Sequence, residues 1–204
     1  MAKVEEEVEC IVRAMHRKGY KTFLSSDRPC NLNIVGIRSS SPEIDRFNDR
    51  LVVFWRHDRK LYFGEYPITT LPGEYYLIDK LLNQKGAAIL CPGQYKGAYS
   101  VGLHKGKYEA LVQSKPVKVF RDGDRDDEYD LDPNTLEQGY FGINIHRAYK
   151  EGKAPKVGKT SAGCQVFQNA LDYAEFMECC ANAVEEWGNS FTYTLLEEND
   201  LTAA

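Results

Sequence analysis

An α+β fold dominated by strands is what this sequence predicts, and three observations carry the expectation. The first is an amphipathic run at the very start. The second is a long central stretch of short β-branched and aromatic segments cut by Ser, Pro, Asp and Gly. The third is a return to helical spacing after position 164. Together they describe a β-rich core with one helix at the start and another near the end. With 204 residues the chain is long enough for one substantial domain and short for two, and it is read as one domain: a helix over 1–20, a core over 31–175, and the end of a helix plus a last strand over 176–204.

Each element has its own justification. In "VEEEVECIVRAMHRKGYK", Val4, Val8, Ile11, Val12 and Met15 recur at helical spacing and Gly19 stands where a C-terminal cap belongs, with His16 on the polar side. The runs "NLNIVGIR", "DRLVVFWRHD", "KLYFGEYPI" and "GEYYLI" read as strands, with "RHDRK" as a hairpin turn exposing His57. "GAAILCPGQY", "GAYSVGL", "KYEALVQ" and "KPVKVFRD" continue the pattern. After Cys164, Asn169 can cap a helix that puts Leu171, Ala174, Met177, Ala181 and Val184 on one face and stops at Gly188. "SFTYTLLEE" reads as a final strand.

Composition narrows the function. The chain is 43% apolar and 12% aromatic, a globular make-up. Lys and Arg total 26 against 30 Asp and Glu, for a net charge of −4, with no basic stripe, which argues against nucleic acid as the main partner. No apolar run reaches the ~18 residues of a membrane helix. "MAKVEEEVEC" carries four glutamates where a signal peptide has a basic start and an apolar centre. The expectation is cytoplasmic synthesis without a cleaved signal. The six cysteines form no CxxC pair and no regular framework, as in a reduced compartment.

The stretch "GINIHRAYKEGKAPKVGKTSAGCQVF" places His146 in an apolar run and Cys164 behind Gly163 in a small-residue turn. A cysteine acts as a nucleophile when a nearby imidazole takes its proton and local N–H groups stabilise the oxyanion. Ala162 and Gly163 leave the backbone beside Cys164 open, and the alternating "FGINI" suggests a strand holding the His146 ring. The alternatives are a buried thiol beside an unrelated core histidine, or two metal ligands. Zinc needs three or four ligands, and no other His or Cys lies close in sequence to either residue.

These residues resemble the catalytic domain of L,D-transpeptidases. That family has a histidine, a glycine-containing loop, and a Ser/Thr-His-Gly-Cys segment followed by a helix. Here His146 stands first and "SAGC", Ser161 to Cys164, follows. "LVVFWRHDRKLYFGEYPITTLPGEYYL" is similar to the family's hairpin leading into a TPxG turn and a further strand, and "GYFGINIH" to its strand into the histidine. The likeness spans about residues 31 to 175. It implies a β-sandwich or barrel core with an N-terminal helix and a helix after the cysteine, a thiol nucleophile at Cys164, a base at His146, a backbone carbonyl partner for the imidazole at Arg147, and oxyanion N–H groups at Gly163 and Cys164, with Ser161 shaping the loop. Tyr140, Ala162, Gln165 and His104 become candidate substrate contacts; for His104, in "GLHKGKY", a surface turn is the alternative.

The implied partner is a peptidoglycan stem peptide, attacked to form a thioester, with no cofactor required and with carbapenems as acylating mimics. The chain departs from the pattern at Ala162, where the family has a second histidine, and at "CQVF", which lacks the usual Arg or Asn. With these changes and no export signal, hydrolysis is expected over transpeptidation, as in a phage-borne relative that reaches the wall after release or by a non-classical route. The rival classes are a non-catalytic module that binds cell wall or a virion partner, and an unrelated thiol protease.

One motif stands apart. "RDGDRDDEYDLD" puts Asp122, Asp124, Asp126, Asp130 and Asp132 at alternating positions, as hard cations favour. An EF-hand would need Gly and Glu where Asp127 and Pro133 stand. Asp122, Asp124, Asp126 and Asp130 are therefore candidate ligands of a structural Ca²⁺, with a solvated acidic loop as the alternative.

Overall fold

The computed structural model describes residues 2–24 and 27–202. Helix α1 (Ala2–Arg17) opens the chain, and strands β1 (Asn33–Arg38), β2 (Asp49–His57) and β3 (Lys60–Thr69) follow. Next come β4 (Ala87–Leu90), β5 (Gly93–His104), β6 (Tyr108–Gln113), β7 (Val117–Asp122), β8 (Glu137–Gly139), β9 (Ile145–Arg147) and β10 (Gln165–Phe167). Helix α2 (Ala170–Trp187), strand β11 (Phe191–Glu197) and the short helix α3 (Asn199–Thr202) end the chain. Eight strands close a barrel in the order β1-β11-β5-β6-β9-β10-β3-β2, and β4-β7-β8 form a separate three-stranded sheet. The fold is thus α+β and mainly β.

Alternation along the strands builds two cores. Ile34, Leu51, Val53, Tyr193 and Leu195 point into one, together with Tyr173, Phe176, Cys180 and Ala183 of α2. Val35, Ile37, Val52, Phe54 and Leu196 point the other way, where Val8, Ile11, Ala14 and Met15 of α1 cover them. Because both faces are covered, every residue of β1 is buried. Arg50 paired with Glu7 and Glu65, and Arg56 paired with Glu5, tie the rim of α1 to the β2–β3 hairpin. Its two-residue turn, Asp58–Arg59, has φ of 49° and 64°, the positive values that match the twist of the flanking strands.

Several local expectations are corrected. "GEYYLI" is not a strand. Tyr75–Asp79 form a π-helical turn, started by Tyr76 and Leu77 N–H groups that both donate to Gly73 O. "FGINI" is mostly irregular, with pairing beginning at Ile145. "GQY" and "GAYSVGL" belong to the single strand β5. Asn169 caps α2 by accepting from Leu171 N, and Gly188 ends it as expected, but the buried face is Tyr173, Phe176, Cys180 and Ala183. Leu171 is 73% exposed, and Ala174 and Ala181 are exposed as well. The aromatic pair Tyr173 and Phe176 packs on Phe167 and sets the rotation of the helix.

A buried polar clamp orders the turn after β3. Asp49 accepts from Thr70 N, Thr70 Oγ1 and Ser39 N, while Arg38 donates to Thr70 Oγ1, Thr70 O and Leu90 O. This fixes residues 70–73, against which the Cys164 turn is built.

Candidate active site

Cys164 immediately precedes β10, and His146 lies in β9. The two strands run parallel with Gln165 opposite Ile145 and Val166 opposite His146. Cys164 lies two residues before Val166, so its side chain leaves the same side of the sheet as His146. Both line a cavity of about 290 Å³ together with Tyr76, His104, Lys159 and Ala162.

The turn carrying Cys164 is held from below. Ser161 is fully buried, and its Oγ lies 2.9 Å from both Leu71 O and Cys164 O. One hydroxyl proton is shared between those acceptors, while Oγ accepts from Gly163 N at 3.2 Å. Gly73 N donates to Ser161 O at 3.0 Å. Gly163 has φ 115°, and a Cβ there would lie 2.0 Å from Ala88 O, so only glycine fits between β4 and the thiol. Its N–H is engaged by Ser161 and is not free for an oxyanion, which leaves the Cys164 N–H as the donor of the expected pair.

Gln165 is fully buried and is not a substrate contact. It donates to Gly163 O at 3.3 Å and accepts from Tyr193 Oη at 2.9 Å, steadying the turn from inside the barrel. Gly36 makes this reachable: a Cβ there would lie 1.8 Å from the Tyr193 hydroxyl oxygen.

His146 Nδ1 is 2.9 Å from Arg147 O. A carbonyl only accepts, so the proton sits on Nδ1 and Nε2 keeps its lone pair. Tyr108 Oη lies 3.3 Å from the same carbonyl, and the Arg147 guanidinium covers the Tyr108 ring at 4.4 Å. His104 is not on a surface turn. It ends β5, is buried, and stacks on His146 with ring centroids 4.1 Å apart. Asn144 Oδ1 accepts from Gln113 N, so its Nδ2 is the group that donates to His104 Nδ1 at 3.0 Å. Two neutral imidazoles therefore lie face to face.

Electrostatics agree with a neutral pair. Burial pushes His146 down to about 3, aided by the neighbouring His104. Burial also lowers His104. The Cys164 thiol is pushed up by burial, opposed by the Asn144 backbone N–H and by Lys105. Sγ lies 3.3 Å from Gly142 O and, among the described residues, is not hydrogen-bonded to the imidazole. The ground state is thiol and imidazole, not thiolate and imidazolium.

The cavity continues to either side. Tyr76, Leu82, Phe141 and Ala162 are shared with a second cavity of about 240 Å³ that Tyr140 and Arg121 border. Lys159 and Thr160 are shared with a third, of about 450 Å³, beside Tyr75, Tyr149 and Lys156. Tyr140, 68% exposed, thus sits one cavity away from the thiol, and Ala162 stands at the junction. Tyr108, Asn144, Lys105 and Lys159 were not among the sequence candidates. Tyr108 and Asn144 reach the histidines only through barrel closure, which no local spacing announces.

In the acidic loop, Asp122, Asp124 and Asp130 come together, with one carboxylate oxygen from each within 4.8 Å of the others. Asp126 is not in this group; its Oδ1 accepts from Glu128 N at 2.8 Å and shapes the turn. No helix among the described residues is long and apolar enough to cross a membrane.

The class defined so far is an eight-stranded barrel with a Cys–His cavity between two parallel strands. Comparison with family models, curated proteins and solved structures gave no match.

Proposed function

We propose that this chain is a cysteine-dependent acyl-transfer enzyme of L,D-transpeptidase type, with a divergent form of that family's core, acting on peptidoglycan stem peptides. The observation that carries the reading is His146, neutral, oriented through Nδ1 by Arg147 O, with its Nε2 lone pair free and Cys164 in the same cavity. The thiol turns from Gly142 O to Nε2, gives up its proton, and Sγ attacks the substrate carbonyl. The Cys164 N–H faces the developing oxyanion. Collapse forms a thioester as the C–N bond breaks, and the imidazolium returns its proton to the leaving amine. Water or an amine acceptor then releases the acyl group. Flanking cavities on both sides of Cys164 suit a substrate that extends past the thiol in both directions, and Lys105 and Lys159 at the rim favour one bearing carboxylates.

The test is incubation with purified muropeptides and, separately, with a carbapenem, read by mass spectrometry. A single covalent adduct and altered muropeptides are expected, both lost in Cys164→Ala and slowed about 10²–10⁴-fold in His146→Ala. Cleavage of ordinary L-peptides with intact muropeptides would favour the thiol protease. No adduct and no product would leave the wall- or virion-binding module, a reading to which the raised Cys164 pKa and the missing Cys–His bond already lend weight.

A further inference from the structure

The loop from β7 to β8 gathers three carboxylates around one buried member. Asp122 is 1% exposed. Its Oδ2 accepts from Asp130 N at 2.9 Å, and its Oδ1 is buried with no hydrogen-bond partner among the described residues. A buried carboxylate oxygen without a partner is costly, and a second and third carboxylate beside it add repulsion. Among the described residues no Lys or Arg forms an ion pair with any of the three; Arg121, next to Asp122, is turned to Glu137 and Gly86 O.

We propose that Asp122, Asp124 and Asp130 bind a Ca²⁺ ion, with the orphaned Oδ1 of Asp122 as its buried ligand. The donor set is all oxygen, which selects a hard cation over zinc or copper. The three oxygens all lie within 4.8 Å of one another, within reach of one ion whose ligands sit at about 2.3–2.6 Å. Mg²⁺, which keeps several of its waters and is usually held by one or two carboxylates, suits a three-carboxylate cluster less well. The ion would brace the support of the thiol turn. Asp122 pairs with Ala87 of β4, whose next residue presents the carbonyl against Gly163. Tyr129, inside the loop, donates to Pro72 O at 2.9 Å, in the turn that holds Ser161. The inference does not depend on the thiol chemistry.

The experiment is a CaCl₂ titration of chelator-treated protein, followed by calorimetry and thermal melting, with MgCl₂ in parallel. With three carboxylates the expected Kd is on the order of 0.1–1 mM, so 10 mM Ca²⁺ should raise Tm by about 3–10 °C. Asp124→Asn with Asp130→Asn, both at exposed positions, should abolish the shift. In chelator that double variant should melt at or above the wild type, since repulsion is relieved; this separates lost binding from a damaged fold. Absence of heat and of any Tm change at 10 mM Ca²⁺ would overturn the proposal, as would a shift retained in the double variant. A Mg²⁺ effect equal to or above that of Ca²⁺ would overturn the choice of ion.

Discussion

Gly163→Ala is the sharpest probe of how the thiol turn is built. The new Cβ would lie 2.0 Å from Ala88 O, 3.1 Å from Ala88 C and 3.2 Å from Ile143 Cδ1. Relaxed carbon–oxygen contacts begin near 3.3 Å, so strand β4 or the turn must move by about 1.3 Å. Neither is loose: β4 is paired along its length with β7, and Ser161 and Gln165 pin the turn. Overpacking costs about 1–3 kcal/mol and the φ of 115° about as much again for alanine. A total near 4 kcal/mol should lower Tm on the order of 10 °C in a chain of this size. Gly152→Ala is the control, because Gly152 has φ 71° and nothing within 4 Å of its Cβ position. It should lose only about 1–2 kcal/mol of backbone strain. Under the proposed function, carbapenem acylation of Cys164 should fall about 100-fold in Gly163→Ala, the usual cost of moving a nucleophile by about 1 Å. Melting curves of the two variants that coincide would refute the packing argument.

Two further outcomes follow from burial. His146 resists protonation in the folded protein down to about pH 3, whereas its ordinary value is 6.5. Its contribution to stability is therefore complete above pH 6.5 and drains as pH falls towards 3, amounting to about 2 kcal/mol by pH 5. Urea midpoints at pH 7 and pH 5 should converge for His146→Gln relative to wild type, and equal losses in both proteins would count against a buried neutral imidazole. On α2, Phe176→Ala should cost about 3–5 kcal/mol and Leu171→Ala under about 0.5 kcal/mol, since the first is fully buried and the second 73% exposed. Reversed denaturation results would restore the helix face expected from the sequence.

What the sequence by itself determined is whatever short-range chemistry dictates. Helix α1 was legible because Val8, Ile11 and Met15 recur at the helical period, and the ends of α2 because Asn169 and Gly188 are cap residues with local mechanisms. The β2–β3 hairpin was legible from alternation on either side of its turn, and the tight turn before Cys164 from its small residues. Tertiary structure decided the rest. "GEYYLI" has strand composition, yet its Tyr76 and Leu77 N–H groups turn to Gly73 O and Lys80 N closes a π-helical turn on Tyr75 O. Leu171 belongs to an apolar period, but Tyr173 and Phe176 bury more ring surface on Phe167 and turn the helix their way. His104 stacks on His146 and Gln165 reaches Tyr193 because closing the barrel brings β5, β9, β10 and β11 together from separate parts of the chain. Even spacing of aspartates likewise could not say which ones converge; the buried end of β7 selects Asp122, and the turn at Asp126 removes that residue from the group. Local rules set the propensity of a segment, while the closing of the barrel sets which side chains face one another.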